Sequence, residues 1–357
     1  MNDINYMEIS KSALLRNAKT ICSQVQVPII AMLKCDGYGL SILEAAKVWK
    51  AAGASIFGVA QPQEALALRS AGFHEDILLT SPVADIEMLN ELVRQNIILT
   101  VTGLESAEFY SLYTNHFPVR VHVAVDTGMG RFGIRWTDTA QLQAVYSLNG
   151  FTFEGIFSHF SQSFEPSYHH TKLQLDRFLT AIDALAAQNI AVGLRHIANS
   201  CAALRFPETH LDAIRIGSAL VGRLCIQPPL PLVPVGTFKA QIVDIKHFRK
   251  GDSTGYGSLY KFKKDTTAAI VAIGRDNGFG LLDIPDPLPL RFRLLNWFRL
   301  LKKNRPCVNF HGQALPLLGR VGTQYTLFDA TGLQLKPGSY VTATVPLLFP
   351  GHRRRFI

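Results

Sequence analysis

Lys34 closes an apolar run, PIIAMLK at positions 28–34, and is followed at once by Cys35-Asp36-Gly37-Tyr38-Gly39. An amine at the end of a buried strand is desolvated, which lowers its pKa and leaves it nucleophilic toward carbonyl carbon. Four more polar side chains fall at or after the ends of apolar runs: Arg131, His159, His196 and Arg215. Two of those runs lead into loops of small residues, Ala198-Asn199-Ser200 and Arg215-Ile216-Gly217-Ser218. Their hydroxyls and free backbone N–H groups suit an anionic oxygen, above all a phosphate. Taken alone, Lys34 reads as a solvated strand end. Beside a phosphate cradle it reads as the amine that condenses with the aldehyde of pyridoxal 5'-phosphate. The run Gly128-Met129-Gly130-Arg131-Phe132-Gly133 formally matches GxGxxG, but no helix pattern opens from it, so it makes a poor dinucleotide fingerprint. Its glycines instead let the backbone pass close to a ligand while Arg131 points inward.

These residues need a scaffold that brings strand ends together. Apolar runs at 28–34, 54–60, 76–80, 96–102, 118–125, 152–158, 193–197 and 212–216 alternate with amphipathic stretches whose apolar residues fall three or four apart. Several runs are almost continuously apolar, as expected of parallel strands covered on both faces. Eight such units in about 220 residues point to a closed, TIM-like (β/α)8 barrel, with an open doubly wound sheet as the alternative. In a barrel the site lies at the C-terminal ends of the strands, and the loops after strands seven and eight commonly hold a phosphate. The pattern changes after Gly222. A proline-rich stretch at 227–234 leads into period-two runs at 237–246, 266–273, 324–329 and 339–345, which read as a smaller, mostly β domain. The expected division is 1–225 for the barrel and 226–357 for the β-rich domain.

The 357 residues are 48% hydrophobic and 18% charged, enough apolar content for a large core and too much for a disordered chain. No apolar run is long enough for an integral membrane span, and the N-terminus carries no signal-peptide pattern, so the expected location is the cytoplasm. Five cysteines without CxxC spacing argue against a disulfide framework, and no metal site is expected. The net charge of +9 is local: residues 287–357 hold eleven Lys/Arg against one acid, Asp329. Six of the eleven lie in the amphipathic stretch 291–305, which reads as a solvated helical insertion or as a membrane-surface or partner helix. The run Arg353-Arg354-Arg355 reads as a solvated tail, and no nucleic-acid-binding pattern accompanies the charge. His122, on an apolar strand, reads as a satisfied core histidine.

Six ordered motifs give the chain a resemblance, nearly end to end, to alanine racemase, a fold-type III pyridoxal phosphate enzyme. They are Lys34-Cys35-Asp36-Gly37-Tyr38-Gly39, Asp126-Thr127 with the glycine-rich run through Gly133, and Gly155-Ile156-Phe157-Ser158-His159-Phe160. His196-Ile197-Ala198-Asn199-Ser200, Arg215-Ile216-Gly217 and Gly255-Tyr256-Gly257 complete the set. The resemblance implies that Lys34 holds the cofactor and is one catalytic base, and that Tyr256 is the opposing base, supplied by the other subunit of a homodimer. It implies a phosphate cradle of Tyr38, Ser200, Gly217 and Ser218, ring stacking by His159, and support from His196 and Asn199. Arg215 would face the pyridine nitrogen, and Arg131 the substrate carboxylate with Thr323 on the substrate side. Racemisation needs a proton removed from one face of the α-carbon and returned to the other, hence two bases. An arginine does not give its proton to a pyridine, so Arg215 leaves the ring a weaker electron sink than a carboxylate would, which disfavours decarboxylation and transamination.

The departures gather around substrate. Ala124 stands where the family usually has a lysine beside the arginine, and Thr323-Gln324 replace the usual Met-Asp. Gly274-Arg275-Asp276-Asn277-Gly278 replaces the usual approach loop, and Gly351 aligns with a phosphate-binding tyrosine. The expected activity is interconversion of L- and D-alanine, a small amino-acid substrate, for cell-wall precursors. A racemase of another small or polar amino acid such as serine, or of broad specificity, is the alternative.

Overall fold

The computed structural model of the protein describes residues 3–112, 118–222, 224, 226, 229–281, 306–349 and 351–357. The basic stretch 291–305 lies outside the described residues. Two compact units form: Lys11–Val235, and Met1–Ser10 together with Gly236–Ile357. The first ten residues thus leave the barrel stretch to which the sequence assigns them, and the division falls at Val235 in place of residue 225.

The first strand, β1 (Asn5–Ile9), belongs to the second unit. The eight strands of the first unit are β2 (Ile29–Met32), β3 (Ile56–Val59), β4 (Asp76–Leu79), β5 (Leu99–Val101), β6 (Val119–Asp126), β8 (Phe151–Phe157), β9 (Leu194–His196) and β10 (Ile214–Ile216); the short β7 (Ile134–Arg135) sits between β6 and β8 in sequence and pairs with β6. All neighbours are parallel. β10, β2, β3 and β4 form one run, and β5, β6, β8 and β9 another. Parallel bridges Leu78–Ile98 and His196–Ala213 join the two runs, so the ring closes. The (β/α)8 barrel read from the sequence is the fold, and the open-sheet alternative falls with that closure.

The closure follows from strand chemistry. Ile30, Phe57, Ile77, Leu99, Val121, Ile156 and Ile214 are fully buried, as strands sandwiched between helices and barrel interior require. Along β6 the valines at 119, 121, 123 and 125 alternate with Arg120, His122, Ala124 and Asp126. Period two therefore puts His122 and Ala124 on one face. Opposite β6, a one-residue bulge lets Val121 pair with Phe153 and His122 with Gly155. The intervening helices start where the caps allow. Pro62 opens Pro62–Ser70, and Asp85 and Asp138 accept backbone N–H groups of Met88 (2.7 Å) and Gln141 (3.0 Å) at the starts of Ile86–Arg94 and Thr139–Tyr146.

The second unit is antiparallel and curls on itself. Its strands are β11 (Gly236–Phe248), β12 (Ser253–Thr254), β13 (Tyr260–Lys261), β14 (Thr266–Val271), β15 (Cys307–Phe310), β16 (Gln313–Leu318), β17 (Thr326–Asp329), β18 (Tyr340–Ala343) and β19 (Arg354–Phe356). The thirteen-residue β11 pairs with β18 over its first half and β14 over its second, which closes the path β14-β17-β16-β15-β18-β11. β1 adds antiparallel to β11, and β19 adds parallel to β1. The arginine run is therefore a strand and not a solvated tail. Asp3 binds both Arg353 and Arg355, and the Arg355 guanidinium lies 4.1 Å from the centre of the Tyr6 ring. Charge pairing and an available strand edge outweigh solvation of three like charges.

Among the described residues no helix is long and apolar enough to cross a membrane. One buried side chain fixes how the barrel chain ends. Asn17, on helix Lys11–Cys22, donates Nδ2 to the carbonyls of Leu220 (2.9 Å) and Val233 (2.8 Å) and accepts the N–H of Val233 (3.0 Å). Between them Gly222 turns at φ +69°, where a Cβ would come within 1.9 Å of the Val233 carbonyl oxygen. Asn17→Leu strands three backbone groups, one buried and two half-buried, and the expected loss is about 1–3 kcal/mol. A fall in the urea midpoint with an unchanged slope checks this.

Candidate active site

Lys34 follows β2 and begins an unusual turn. Cys35, Asp36, Gly37 and Tyr38 have φ of 56°, 52°, 66° and 57° in succession, a single left-handed helical turn. Each non-glycine residue there costs roughly 1–2 kcal/mol, so the surroundings must hold it. They do. The Gly37 N–H donates to the Leu33 carbonyl (2.8 Å), and Asp36 Oδ1 accepts the N–H of Ile42 (2.8 Å). Glu64 Oε1 accepts the Asp36 N–H (3.3 Å) while its other oxygen takes those of Ala60 and Gln61. The turn brings Tyr38 to Gly217, just past β10. A Cβ on Gly217 would lie 2.1 Å from Tyr38 Oη, so only glycine fits. Burial pushes the Tyr38 phenol pKa up, keeping it a protonated donor. Burial, then the nearby Arg131 charge, pushes the Lys34 ammonium down, toward a neutral amine.

Past β9, Asn199 caps helix Ser200–Arg205. Its Oδ1 accepts the Ala202 N–H (3.1 Å) and the Ser163 hydroxyl (2.8 Å). Ser200 Oγ accepts the N–H of Gly217 (3.0 Å), while Ser218 follows at the next position. Ser200, Gly217 and Tyr38 thus converge on one small volume lined with donors.

Arg215 is the centre of the mouth. It is 4% exposed, and the acceptors around it are two imidazole nitrogens and three carbonyls, with no carboxylate among them. Nη1 donates to His196 Nδ1 (2.6 Å) and the His196 carbonyl (3.2 Å). Nη2 donates to the Ser158 carbonyl (2.5 Å), to His159 Nδ1 (3.1 Å) and to the Ile197 carbonyl (3.2 Å). Its guanidinium carbon also lies 5.3 Å from the centre of the Phe157 ring. Burial, then the Arg131 charge, lowers its pKa to about 9, still a cation at neutral pH. Burial and the Arg215 charge hold His159 and His196 neutral, with pKa values well below the usual imidazole range.

Arg131 sits in the loop after β6, exposed. Asp126 Oδ1 gathers the N–H groups of Gly128, Met129 and Gly130 at 2.9–3.0 Å, which shapes that loop. Helix His169–Ala186 braces it. Arg177 donates to the Thr127 carbonyl (2.9 Å), and the buried Gln174 donates to Thr127 Oγ1 and the His159 carbonyl (both 3.2 Å). Thr127 Oγ1 in turn lies 2.8 Å from Ser158 Oγ.

Lys34, Tyr38, Arg131, His159, His196, Asn199, Ser200, Arg215, Gly217 and Ser218 therefore all belong to the barrel's C-terminal mouth. Tyr256 and Thr323 belong to the other unit. Tyr256 is fully exposed on a turn between β12 and β13, with Gly255 and Gly257 at φ 79° and 71°. Thr323 is exposed, and its carbonyl accepts the Asp276 N–H (3.0 Å), while the Arg275 N–H donates to Gly322 (3.0 Å). The segments 274–278 and 322–323 are thus zipped together.

Sequence reasoning passes over Glu64, Gln174 and Arg177, and reads His122 as a satisfied core histidine, which its burial and its bond to His196 bear out. The first three stand on helices where a charged or amide residue is unremarkable. His122 donates to or accepts from His196, its Nδ1 lying 2.9 Å from His196 Nε2. The strict Val alternation along β6 was the available signal that His122 shares a face with Ala124.

The chain resembles proteins of known kind. The profile of the alanine racemase N-terminal domain matches residues 9–224, and that of the alanine racemase C-terminal domain residues 235–347. A curated alanine racemase of Desulfosudis oleivorans is 32% identical over 352 residues, covering 93% of this chain and 85% of that protein. The crystal structure of alanine racemase from E. faecalis superposes with a TM-score of 0.85 at 26% identity, covering 99% of this chain and 98% of that one. An alanine racemase structure from Clostridium difficile 630 gives 0.87 at 23% identity, covering 100% and 96%, a likeness of fold.

The neutral histidines make stability depend on pH. In the unfolded chain each imidazole takes up a proton below about 6.5. In the fold His122 does so only at about 3, and His159 and His196 well below the usual value. Between those limits the unfolded chain binds more protons, so stability is full above about pH 6.5 and falls as the pH is lowered. Carboxylates lowered by arginine, such as Asp212, contribute only below about pH 4. A urea midpoint that drops between about pH 7.5 and about pH 5 is the expected outcome; an unchanged midpoint would mean the rings take up protons in the fold as readily as in the unfolded chain.

Proposed function

Because the chain belongs to the alanine racemase family, we propose that the barrel mouth built around Arg215 is its racemisation site, completed by Tyr256 of the partner subunit in a homodimer. The protein is an amino-acid racemase that interconverts L- and D-alanine and uses pyridoxal 5'-phosphate. The serine or broad-specificity alternative gains no support from these relatives. A cytoplasmic location and a supply of D-alanine for cell-wall precursors are parts of the proposal.

One observation carries the residue assignment. Tyr38 Oη occupies the space a Gly217 side chain would need, and the Ser200 hydroxyl meets the Gly217 N–H beside it. Two hydroxyls packed against a glycine backbone, at the strand ends where such barrels commonly hold a phosphate, support a phosphate cradle. Lys34, its amine shifted toward the neutral form, and the Arg215–His159 pair belong to the same mouth, which fits the remainder of a pyridoxal ring.

Tyr38, Ser200, Gly217 and Ser218 would hold the phosphate and His159 the ring face, while Lys34 would attach to the aldehyde carbon. When bound, pyridoxal phosphate supplies the electron sink that makes the alanine α-proton acidic. The chain supplies the rest. Arg215 offers only N–H groups, so facing the pyridine nitrogen it would donate to it and would restrain how far electrons are drawn from the α-carbon. Arg131 would orient the substrate carboxylate through its charge, from a loop held rigid by Asp126, Gln174 and Arg177. Ala124 provides no cation or anion beside it. Lys34 Nζ would take or return the proton on one face of the α-carbon, and the Tyr256 hydroxyl on the other. The full exposure of Tyr256 on a glycine-flanked turn supports its use outside its own chain.

Purified protein incubated with alanine and the cofactor in deuterated water tests the function: deuterium enters the α-position and both enantiomers accumulate. No exchange with cofactor bound would defeat the reading. Tyr256→Phe should slow racemisation strongly while cofactor binding is retained, and equal loss of both would remove its role as a base. Lys34→Ala should leave the cofactor removable by dialysis, read by absorbance of the dialysed protein. Gly217→Ala forces Tyr38 aside at a cost of about 1–3 kcal/mol. That should weaken cofactor affinity by roughly tenfold or more in a fluorescence titration.

A further inference from the structure

His122 lies among the groups below the mouth, and no step above uses it. It is 3% exposed on β6, and its bond partner, His196, is on β9. β6 and β9 are not neighbours, so this bond passes in front of β8. There Gly155 leaves the space: a Cβ would come within 2.6 Å of the His122 ring. The bulge that pairs His122 with Gly155 sets that register.

Proton positions follow from valence alone. A guanidinium only donates, so His196 Nδ1, at 2.6 Å from Arg215 Nη1, is bare. The single proton of the neutral ring is then on Nε2, which faces His122 Nδ1 at 2.9 Å. His122 Nδ1 accepts, and its own proton is on Nε2. The same rule leaves His159 Nδ1 bare on the other side of Arg215.

We propose that His122 is a positioning residue for racemisation: by accepting the Nε2–H of His196 it fixes that ring's tautomer and keeps a bare nitrogen turned toward Arg215. Without that acceptor, His196 has a buried N–H and no partner for it. The relief open to the ring is the other tautomer, which points an N–H at a guanidinium and pushes it away. A residue that only fills space would be replaceable by any side chain of similar volume. A residue that fixes a tautomer is replaceable only by another acceptor.

The inference rests on the placement of Arg215 beside the cofactor ring, and the test separates the two. Holoenzyme labelled with 15N-histidine should show His196 as the Nε2–H tautomer, hydrogen-bonded to His122 Nδ1. His122→Leu removes the acceptor at similar volume, whereas His122→Asn sets a carbonyl oxygen near the Nδ1 position. The Leu variant should lose on the order of tenfold or more in kcat with KM for alanine little changed, and its bound cofactor should absorb at a shifted wavelength. The Asn variant should recover most of both. Nδ1-protonated His196 in the wild-type holoenzyme overturns the proposal, and that reading needs no variant to fold. So does a Leu variant with unaltered kcat and absorbance, or equal impairment of Leu and Asn. Failure of the wild type to racemise alanine would instead count against the family activity, with the tautomers still legible.

Discussion

A guanidinium buried without a carboxylate is the constraint around which the barrel mouth is arranged. Arg215 keeps its charge only because two imidazole nitrogens and three carbonyl oxygens accept from it, and the Phe157 ring faces it. A carboxylate partner would hold the charge more strongly, but would also bring a proton-accepting acid to the same place. The network used here is donor-only at its centre and neutral at its rim. Under the proposed assignment, such a network would restrain how far electrons are drawn from an α-carbon.

The rest of the mouth is fastened to that arrangement by short, buried links. Gly217 follows Arg215 by two residues, and its missing side chain is what lets Tyr38 reach the cradle. Tyr38 arrives through a left-handed turn that would unwind but for Asp36 and Glu64. On the opposite lip, Gln174 ties the Thr127 loop to the His159 loop. Strain at one strand end is thus balanced by hydrogen bonds from the neighbouring loop, and the side chains of the mouth stand on strand ends that are tied together.

Much of this was legible in the residues. Near-continuous apolar runs around Ile30, Phe57 and Ile77 report strands covered on both faces, and counting them yields the barrel. The motif residues at the strand ends lie at the mouth because period and loop length leave them nowhere else. Other features have no local signature. Asn5–Ile9 is not read as a strand at all, because its partners are an edge of β11 and β19, both more than 200 residues away. Arg353 and Arg355 look like a solvated tail until Asp3, at the far end of the chain, is beside them. Cys35, Asp36 and Tyr38 carry side chains that disfavour positive φ, so only the long-range contacts disclose the left-handed turn. His122 reads as a core histidine because its partner lies two strands away around the barrel.

The arrangement around Arg215 depends on where a few protons sit, and neutron diffraction from the holoenzyme locates them directly. It predicts a fully protonated Arg215, bare Nδ1 atoms on His159 and His196, and protons on Nε2 of His196 and His122. A proton on Nδ1 of either ring that faces Arg215 would contradict it.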